Sequence, residues 1–378
     1  MWDLFAVTPR GVEPVAAREL ESLGAAGVSP DAGGVHFQGD RELAYRAHLE
    51  LRSAERVLVF LREFSAATPE MLYNQVRRID WLQHLRPHMT FAVSCVISRR
   101  GEPGGPNHSH FTALKIKDAI ADDLRKRAGE RPDVDVADPD VRVHAYVLGK
   151  RCRLSLDASG EGLHRRGYRQ ATGAAPLKES LAAAVLELAG WDEKTPLVDP
   201  MCGAGTLVLE AALRARGIAP GLLRERFAFM RWTDFDAPLW ARLVAEARAR
   251  VRPAAPAALC GYDRDRQAVE LAREAARALG VERDVQFEVR ELAACAPPEG
   301  PPGLVVSNPP YGVRLGAEGG LEALYAGLGD VLKQRFRGWS AGVLTTPEHA
   351  RQVGLKPARR IPLFNGPIEC RLLRYALY

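Results

Sequence analysis

The 378-residue chain has no apolar run near the roughly 20 residues that a membrane-spanning helix requires, so no membrane role is expected. The start, Met1-Trp2-Asp3-Leu4-Phe5, lacks a basic stretch followed by an apolar one and does not read as a secretory signal, which makes the cytoplasm the expected compartment. Cysteine is scarce. Cys95, Cys152, Cys202, Cys260, Cys295 and Cys370 form no C-x-x-C pair and have no histidine at ligand spacing, so reduced thiols are expected, with neither a zinc site nor a disulfide framework. Charge of one sign is lacking too. Lys and Arg number 52 against 47 Asp and Glu, a net charge of +5 shared by both halves of the chain. That balance permits a nucleic-acid partner without requiring one, and any binding face must come from local clusters. What is present is ample apolar material, 47% of a chain longer than one core usually holds, so two or three domains are expected.

Residues 1–65 alternate short strand-like and helix-like pieces: strands at 4–7, 34–37 and 56–61, helices at 12–23 and 40–48. Their connections are too short for parallel crossovers, which predicts a small antiparallel α+β unit. A second unit over 66–160 has a helix at 69–79, a β-prone run at 90–97, an amphipathic helix at 111–127 and a hairpin around Gly149-Lys150. Its loop from Arg99 to His110 reads as solvated or RNA-facing. Residues 157–175 read as a connector. From Lys178 onward helices at 179–189, 206–216, 266–279 and 321–335 alternate with short apolar strands at 196–198, 257–261, 285–289, 304–307 and 341–345. That alternation predicts a mostly parallel sheet covered on both faces, an α/β domain of Rossmann-like type.

Asp199-Pro200-Met201-Cys202-Gly203-Ala204-Gly205-Thr206 follows the first of these strands and leads into a helix. Its glycines permit positive φ and close approach of a ligand, and the helix start supplies free N–H donors. The third Rossmann glycine is missing and no G-K-[ST] follows, so dinucleotide and ATP readings lose ground. A ligand with a carboxylate and an amine fits better, the helix N–H groups taking the first and Asp199 with nearby carbonyls the second. At the end of the next strand, Asp263 of Gly261-Tyr262-Asp263-Arg264-Asp265 is placed to accept both hydroxyls of a ribose. Asp265 suits a helix N-cap. Glu291 in Arg290-Glu291-Leu292 reads either as a contact to an adenine amino group or as a solvated surface residue.

Ser307-Asn308-Pro309-Pro310-Tyr311-Gly312 ends the fourth strand. Two prolines cannot continue a parallel ladder, so the chain turns away at the carboxyl edge, where such sheets bind ligands. A base amino group is a poor nucleophile because its lone pair is delocalised into the ring. The Asn308 side-chain oxygen and the Pro309 carbonyl can accept both its hydrogens while Tyr311 stacks on the base, aiming the lone pair at a methyl sulfonium. Neither a metal nor a side-chain nucleophile is required.

Asn308 to Tyr311, taken with Asp199 to Thr206 and Asp263, resembles the class I amino-methyltransferases. Gly160-Glu161-Gly162-Leu163-His164-Arg165-Arg166-Gly167-Tyr168-Arg169, followed by Ala175-Pro176-Leu177-Lys178-Glu179, resembles the junction in THUMP-domain RNA guanine-N2 methyltransferases, closest to the large-subunit rRNA branch. Ala113-Leu114-Lys115-Ile116-Lys117-Asp118-Ala119-Ile120, with Arg131-Pro132 downstream, is similar to the THUMP helix and its exit. The resemblance implies a ferredoxin-like α+β domain over 1–65, a THUMP domain over 66–160, and a linker with a Rossmann-like class I methyltransferase domain over 161–378. It implies S-adenosylmethionine as cofactor, with Asp199, Cys202, Gly203, Gly205 and Thr206 around its methionine part, Asp263 on the ribose, and Glu291 or the backbone of Leu292 at the adenine. Pro176, Leu177 and Lys178 would line the pocket from the other side, and Asn308, Pro309, Pro310 and Tyr311 would hold the target guanine amine. Structured RNA is the implied partner of a monomeric enzyme, through Lys115, Lys117, Arg165, Arg166 and Arg169. The expected product is N2-methylguanosine in 23S rRNA, with tRNA as the alternative RNA; adenine-N6 in DNA and a protein glutamine share the four-residue motif.

Overall fold

The computed structural model describes residues 1–98, 104–168, 177–311 and 318–378. The front half runs β1 (Trp2–Val7), α1 (Glu13–Ser22), β2 (Ala26–Asp31), β3 (Gly34–Gly39), α2 (Arg41–Glu50), β4 (Arg56–Ser65), α3 (Pro69–Val76), β5 (Thr90–Ser98), α4 (Ser109–Ala128), β6 (Asp133–Val134), β7 (Val141–Leu148) and β8 (Arg151–Asp157). Local chemistry sets these boundaries. Asp40 caps α2 by accepting from the Leu43 N–H at 2.9 Å, Thr68 caps α3 just ahead of Pro69, and Gly129, at φ 80°, ends α4.

All eight strands join one sheet in the order β2-β3-β1-β4-β8-β7-β5-β6. The sequence reading sees two units here, and the ten-residue strand β4 shows how they meet: its first half pairs β1 and its length pairs β8, both antiparallel. β5 runs parallel to β7 across the helix α4, a crossover long enough to reverse direction. The helices lie over the buried face. Trp81, Phe91, Ile116 and Ile120 fill the core beneath α3 and α4, and Leu4, Leu20, Phe37 and Leu49 the core beneath α1 and α2.

The second half runs α5 (Glu179–Ala189), β9 (Leu197–Asp199), α6 (Thr206–Ala215), α7 (Ala237–Ala249), β10 (Leu259–Asp263), α8 (Arg266–Leu279), β11 (Val285–Val289), β12 (Leu304–Ser307), α9 (Glu318–Arg335), β13 (Ser340–Thr345), β14 (Arg359–Asn365) and β15 (Ile368–Ala376). The sheet order is β11-β10-β9-β12-β13-β15-β14; the first five strands are parallel, and β15 pairs antiparallel with both β13 and β14. Order reverses between β9 and β12, so the crevice at their carboxyl ends is where a doubly wound sheet takes its ligand. β9 and β12 are buried on both faces, with Leu197, Val198, Val305 and Val306 no more than 1% exposed. Burying each such side chain contributes about 1.5–3 kcal/mol, which fixes the strand ends that carry Asp199 and Asn308.

Besides the two-residue β6, four elements are absent from the sequence reading. β2 is exposed along most of its length, and β14 is an edge strand bearing Arg359, Arg360 and Pro362, so neither shows a clean apolar alternation. β15 follows β14 through the tight Gly366-Pro367 turn. α7 belongs to an excursion between α6 and β10 that leaves its own domain, putting Phe227, Phe229 and Leu243 into the core of the amino-terminal unit. There Tyr45 stacks on Phe229 at 4.5 Å between centroids.

Candidate cofactor and amine-binding site

The loop after β9 is shaped by its glycines and by two carboxylates. Gly203 and Gly205 have φ of 51° and 77°, the left-handed region open to glycine. A Cβ on Gly205 would come within 2.9 Å of Phe287 and Ala272, so this residue lets α6 pack on the sheet, whereas a Cβ on Gly203 would meet nothing within 4 Å and would project into open space. Close backbone approach to a ligand is available at Gly203. α6 starts at Thr206 behind Gly205, which offers no side-chain cap, so the positive end of the helix dipole faces the crevice and suits a ligand's anionic group.

Asp199 is buried, 2% exposed, and accepts from the Met201 N–H at 3.1 Å. Burial raises its carboxyl to about 7, with the nearby Asp263 carboxylate adding to the effect. A cation placed beside it would restore its charge. Asp263, half-buried at the end of β10, accepts from the Gly203 N–H at 2.8 Å through Oδ2 and from the Asp265 N–H at 2.9 Å through Oδ1. Each oxygen keeps lone-pair capacity for a further donor. Asp265 caps α8 through the Gln267 and Ala268 N–H groups. Cys202 is 8% exposed, and burial pushes its thiol well up, so it forms an apolar wall and not a nucleophile.

Glu291 and Leu292 follow β11 on the same rim, Glu291 exposed and Leu292 half-buried. Leu177 is buried, and the Lys178 ammonium pairs with Glu55 of the amino-terminal unit at 2.8 Å. Pro176 lies outside the described residues.

The turn after β12 is held from behind. Tyr325 of α9 bonds Thr345 Oγ1 at 2.7 Å and donates to the Pro310 carbonyl at 3.4 Å. Tyr311 is 8% exposed, packed in the domain core, and its hydroxyl accepts from Asn365 Nδ2 at 2.8 Å. The Asn308 Oδ1 is buried and has no hydrogen-bond partner among the described residues. Leaving a buried acceptor unmade costs about 1–3 kcal/mol, so this oxygen at the crevice is suited to accept from a donor that enters it. Asn365 was not picked out from the sequence; the Asn365-Gly366 pair is the hairpin signal that could have located it.

The cationic residues fare unequally. Lys115 sits over the Tyr73 ring at 5.4 Å and Lys117 pairs with Asp118 at 2.9 Å, both on α4. Arg165 is exposed and paired with Glu161 at 2.6 Å. Arg166 corrects the sequence reading. It is 2% exposed, donates to the Leu163 and Arg52 carbonyls at 2.5 and 2.6 Å and lies 3.6 Å from Glu210, so it ties the connector to α6 and is closed to RNA. Arg169 lies outside the described residues. Among the described residues no group of histidine, cysteine or carboxylate side chains could hold a metal, and no helix is long and apolar enough to cross a membrane.

Comparison with known proteins places this site in a family. Residues 166–374 match the RMKL-like methyltransferase domain, 3–58 the RlmL ferredoxin-like domain and 66–157 the THUMP domain. A Synechocystis protein named as an RNA methyltransferase is 43% identical over 99% of this chain and 96% of its own. The ribosomal RNA large subunit methyltransferase K/L of Allochromatium vinosum is 46% identical over 99% of this chain but 51% of its own, so the chain spans about half the length of that relative. Among solved structures, a methyltransferase crystallised with SAH superposes with a TM-score of 0.90 at 30% identity, covering 100% of this chain and 98% of the other. A Listeria monocytogenes protein described as a predicted N6-adenine-specific DNA methylase gives 0.87 at 30% identity, over 100% and 96%. The chain belongs to the RMKL-like methyltransferase family and carries the RlmL ferredoxin-like and THUMP domains ahead of its catalytic domain.

Proposed function

We propose that this chain transfers a methyl group from S-adenosylmethionine to the exocyclic N2 amine of a guanine in RNA, with 23S rRNA as the substrate. The observation that carries the reading is the buried Asn308 Oδ1, without a partner among the described residues, at the end of β12, on the same strand-end rim as the open Gly203 backbone and the Asp263 carboxylate. The donor supplies an electrophilic methyl on a sulfonium. Its carboxylate suits the uncapped start of α6, its ammonium the buried Asp199, and its ribose hydroxyls the spare lone pairs of Asp263. Asn308 Oδ1 and the Pro309 carbonyl accept the two hydrogens of the target amine, which favours a tetrahedral nitrogen and frees the lone pair for attack. Tyr311, anchored by Asn365, forms the wall beside the base. The proton released after methylation passes to solvent. Catalysis here is positional and electrostatic.

The THUMP and ferredoxin-like front half supports an RNA substrate, since a flipped adenine in DNA needs neither. Lys115, Lys117 and Arg165 are the cations we assign to it. The K/L relatives act on large-subunit rRNA by name, which favours 23S rRNA over tRNA. Labelled S-adenosylmethionine offered with protein-free 23S rRNA, a tRNA pool and duplex DNA tests the assignment. Label in 23S rRNA is expected; label confined to tRNA or DNA would contradict it.

A further inference from the structure

We infer that Arg10, from the amino-terminal unit, binds an RNA backbone phosphate next to the target nucleotide at the catalytic rim. The inference rests on the RNA reading above and adds a contact that the amino-terminal unit supplies to the catalytic domain.

The loop between β1 and α1 docks on the free edge of β14. The Phe364 N–H donates to the Arg10 carbonyl at 3.1 Å, and Gly11, at φ 90°, lies so close to Pro362 that any side chain there would strike its carbonyl. Glu13 locks the loop from the other side, accepting from the Gly11 N–H at 2.6 Å and the Gly33 N–H at 2.9 Å. The Arg10 guanidinium lies over the Phe364 ring, 4.2 Å from its centroid. The next residue, Asn365, holds the Tyr311 hydroxyl. β14 runs antiparallel to β15, and β15 begins beside the carboxyl end of β13, so Phe364 and Asn365 stand at the ligand edge of the sheet.

Arg10 is exposed and has no carboxylate partner among the described residues, the nearby Glu13 being taken by backbone amides. Most other cations near this interface are engaged: Lys178 with Glu55, Arg18 with Glu187 and Arg214 with Glu193. Stacking uses only the π face of a guanidinium and leaves its N–H edge free for the planar, bidentate recognition that suits a phosphate. A loop pinned on both sides positions that edge before RNA arrives, which lowers the ordering cost of the contact.

The test compares the full-length wild type with Arg10→Ala, Arg10→Lys and a remote control, Arg283→Ala, which removes an exposed charge ahead of β11 at the opposite edge of the sheet. Steady-state methylation of 23S rRNA is measured against RNA concentration and salt, with melting temperature and S-adenosylmethionine affinity alongside. For Arg10→Ala we expect KM for RNA to rise about ten-fold with kcat held, and the salt slope of RNA binding to fall by about 0.7. Arg10→Lys should recover part of the loss, and Arg283→Ala should match wild type, as should melting temperature and cofactor affinity in every variant. An unchanged KM for Arg10→Ala overturns the inference, and so does a fall in kcat with an unchanged salt slope, which would mean that Arg10 acts through Phe364 on Tyr311. Wild type inactive on RNA would instead overturn the RNA reading itself.

Discussion

Asn308 has a buried side-chain oxygen with no partner among the described residues, and Asp263 has two oxygens each already engaged once. The two should therefore fail differently. On the proposed role, in which Asn308 accepts from the reacting amine alone, Asn308→Ala should lower kcat by about 10²–10³-fold while cofactor affinity stays within two- or three-fold. Single-turnover rates beside calorimetric cofactor titration separate these effects, and joint loss of both would make Asn308 a structural residue. Asp263→Ala should act mainly on cofactor binding, weakening it by about 10–100-fold with the rate at saturation largely retained, as expected for a lost charge-assisted contact. A normal cofactor Kd in that variant would remove Asp263 from the ribose.

At the scale of elements, the β9–α6 turn links conformation to proton binding. Gly205→Ala forces a side chain into a positive φ and against Phe287 and Ala272, and should destabilise the domain by about 2 kcal/mol in denaturant unfolding. Asp199 titrates near 7 in the folded chain and near 3.9 when unfolded. The folded state therefore holds the extra proton, and the stability it brings is full below the unfolded value and declines as pH rises through 7. A cofactor ammonium reverses the preference by favouring the carboxylate. Cofactor binding should tighten as pH rises toward 7 and release a proton below it, and Asp199→Asn should flatten that dependence; calorimetry in buffers of different ionisation enthalpy reads the proton directly. The same turn was legible in the sequence because its glycines, its acid and its helix start are contiguous. The Asn308 turn was legible for the same reason, two prolines after a fully apolar strand. β14 was not, because an edge strand carrying Arg359, Arg360 and Pro362 lacks the alternation that betrays a half-buried strand. Arg166 misled for a third reason: a neighbouring arginine, a glycine and an exposed-looking connector are all consistent with a surface cluster, and its partners include groups far off in sequence, the Arg52 carbonyl and, 44 residues further along the chain, Glu210 on α6.

For the whole molecule, the front half is built into the catalytic half. The Arg224 guanidinium donates to the carbonyls of Gly162, Arg165, Ser159 and Glu161, gripping the connector, while Arg166 pins it to α6 and the α7 excursion fills the amino-terminal core. Arg166→Ala leaves Glu210 buried without its cation, which costs about 3–5 kcal/mol, and should appear as lost stability while RNA affinity of the folded fraction is unchanged. Chemical denaturation beside RNA binding below the transition decides this, and a selective loss of RNA affinity would return Arg166 to the RNA surface. The central claim, that Asn308 and its neighbours present a guanine N2 amine of RNA to a methyl sulfonium, is tested most directly by mass analysis of nucleosides from 23S rRNA incubated with the protein and S-adenosylmethionine. N2-methylguanosine should appear with wild type and be absent with Asn308→Ala; N6-methyladenosine in its place, or no modified nucleoside at all, would contradict the account.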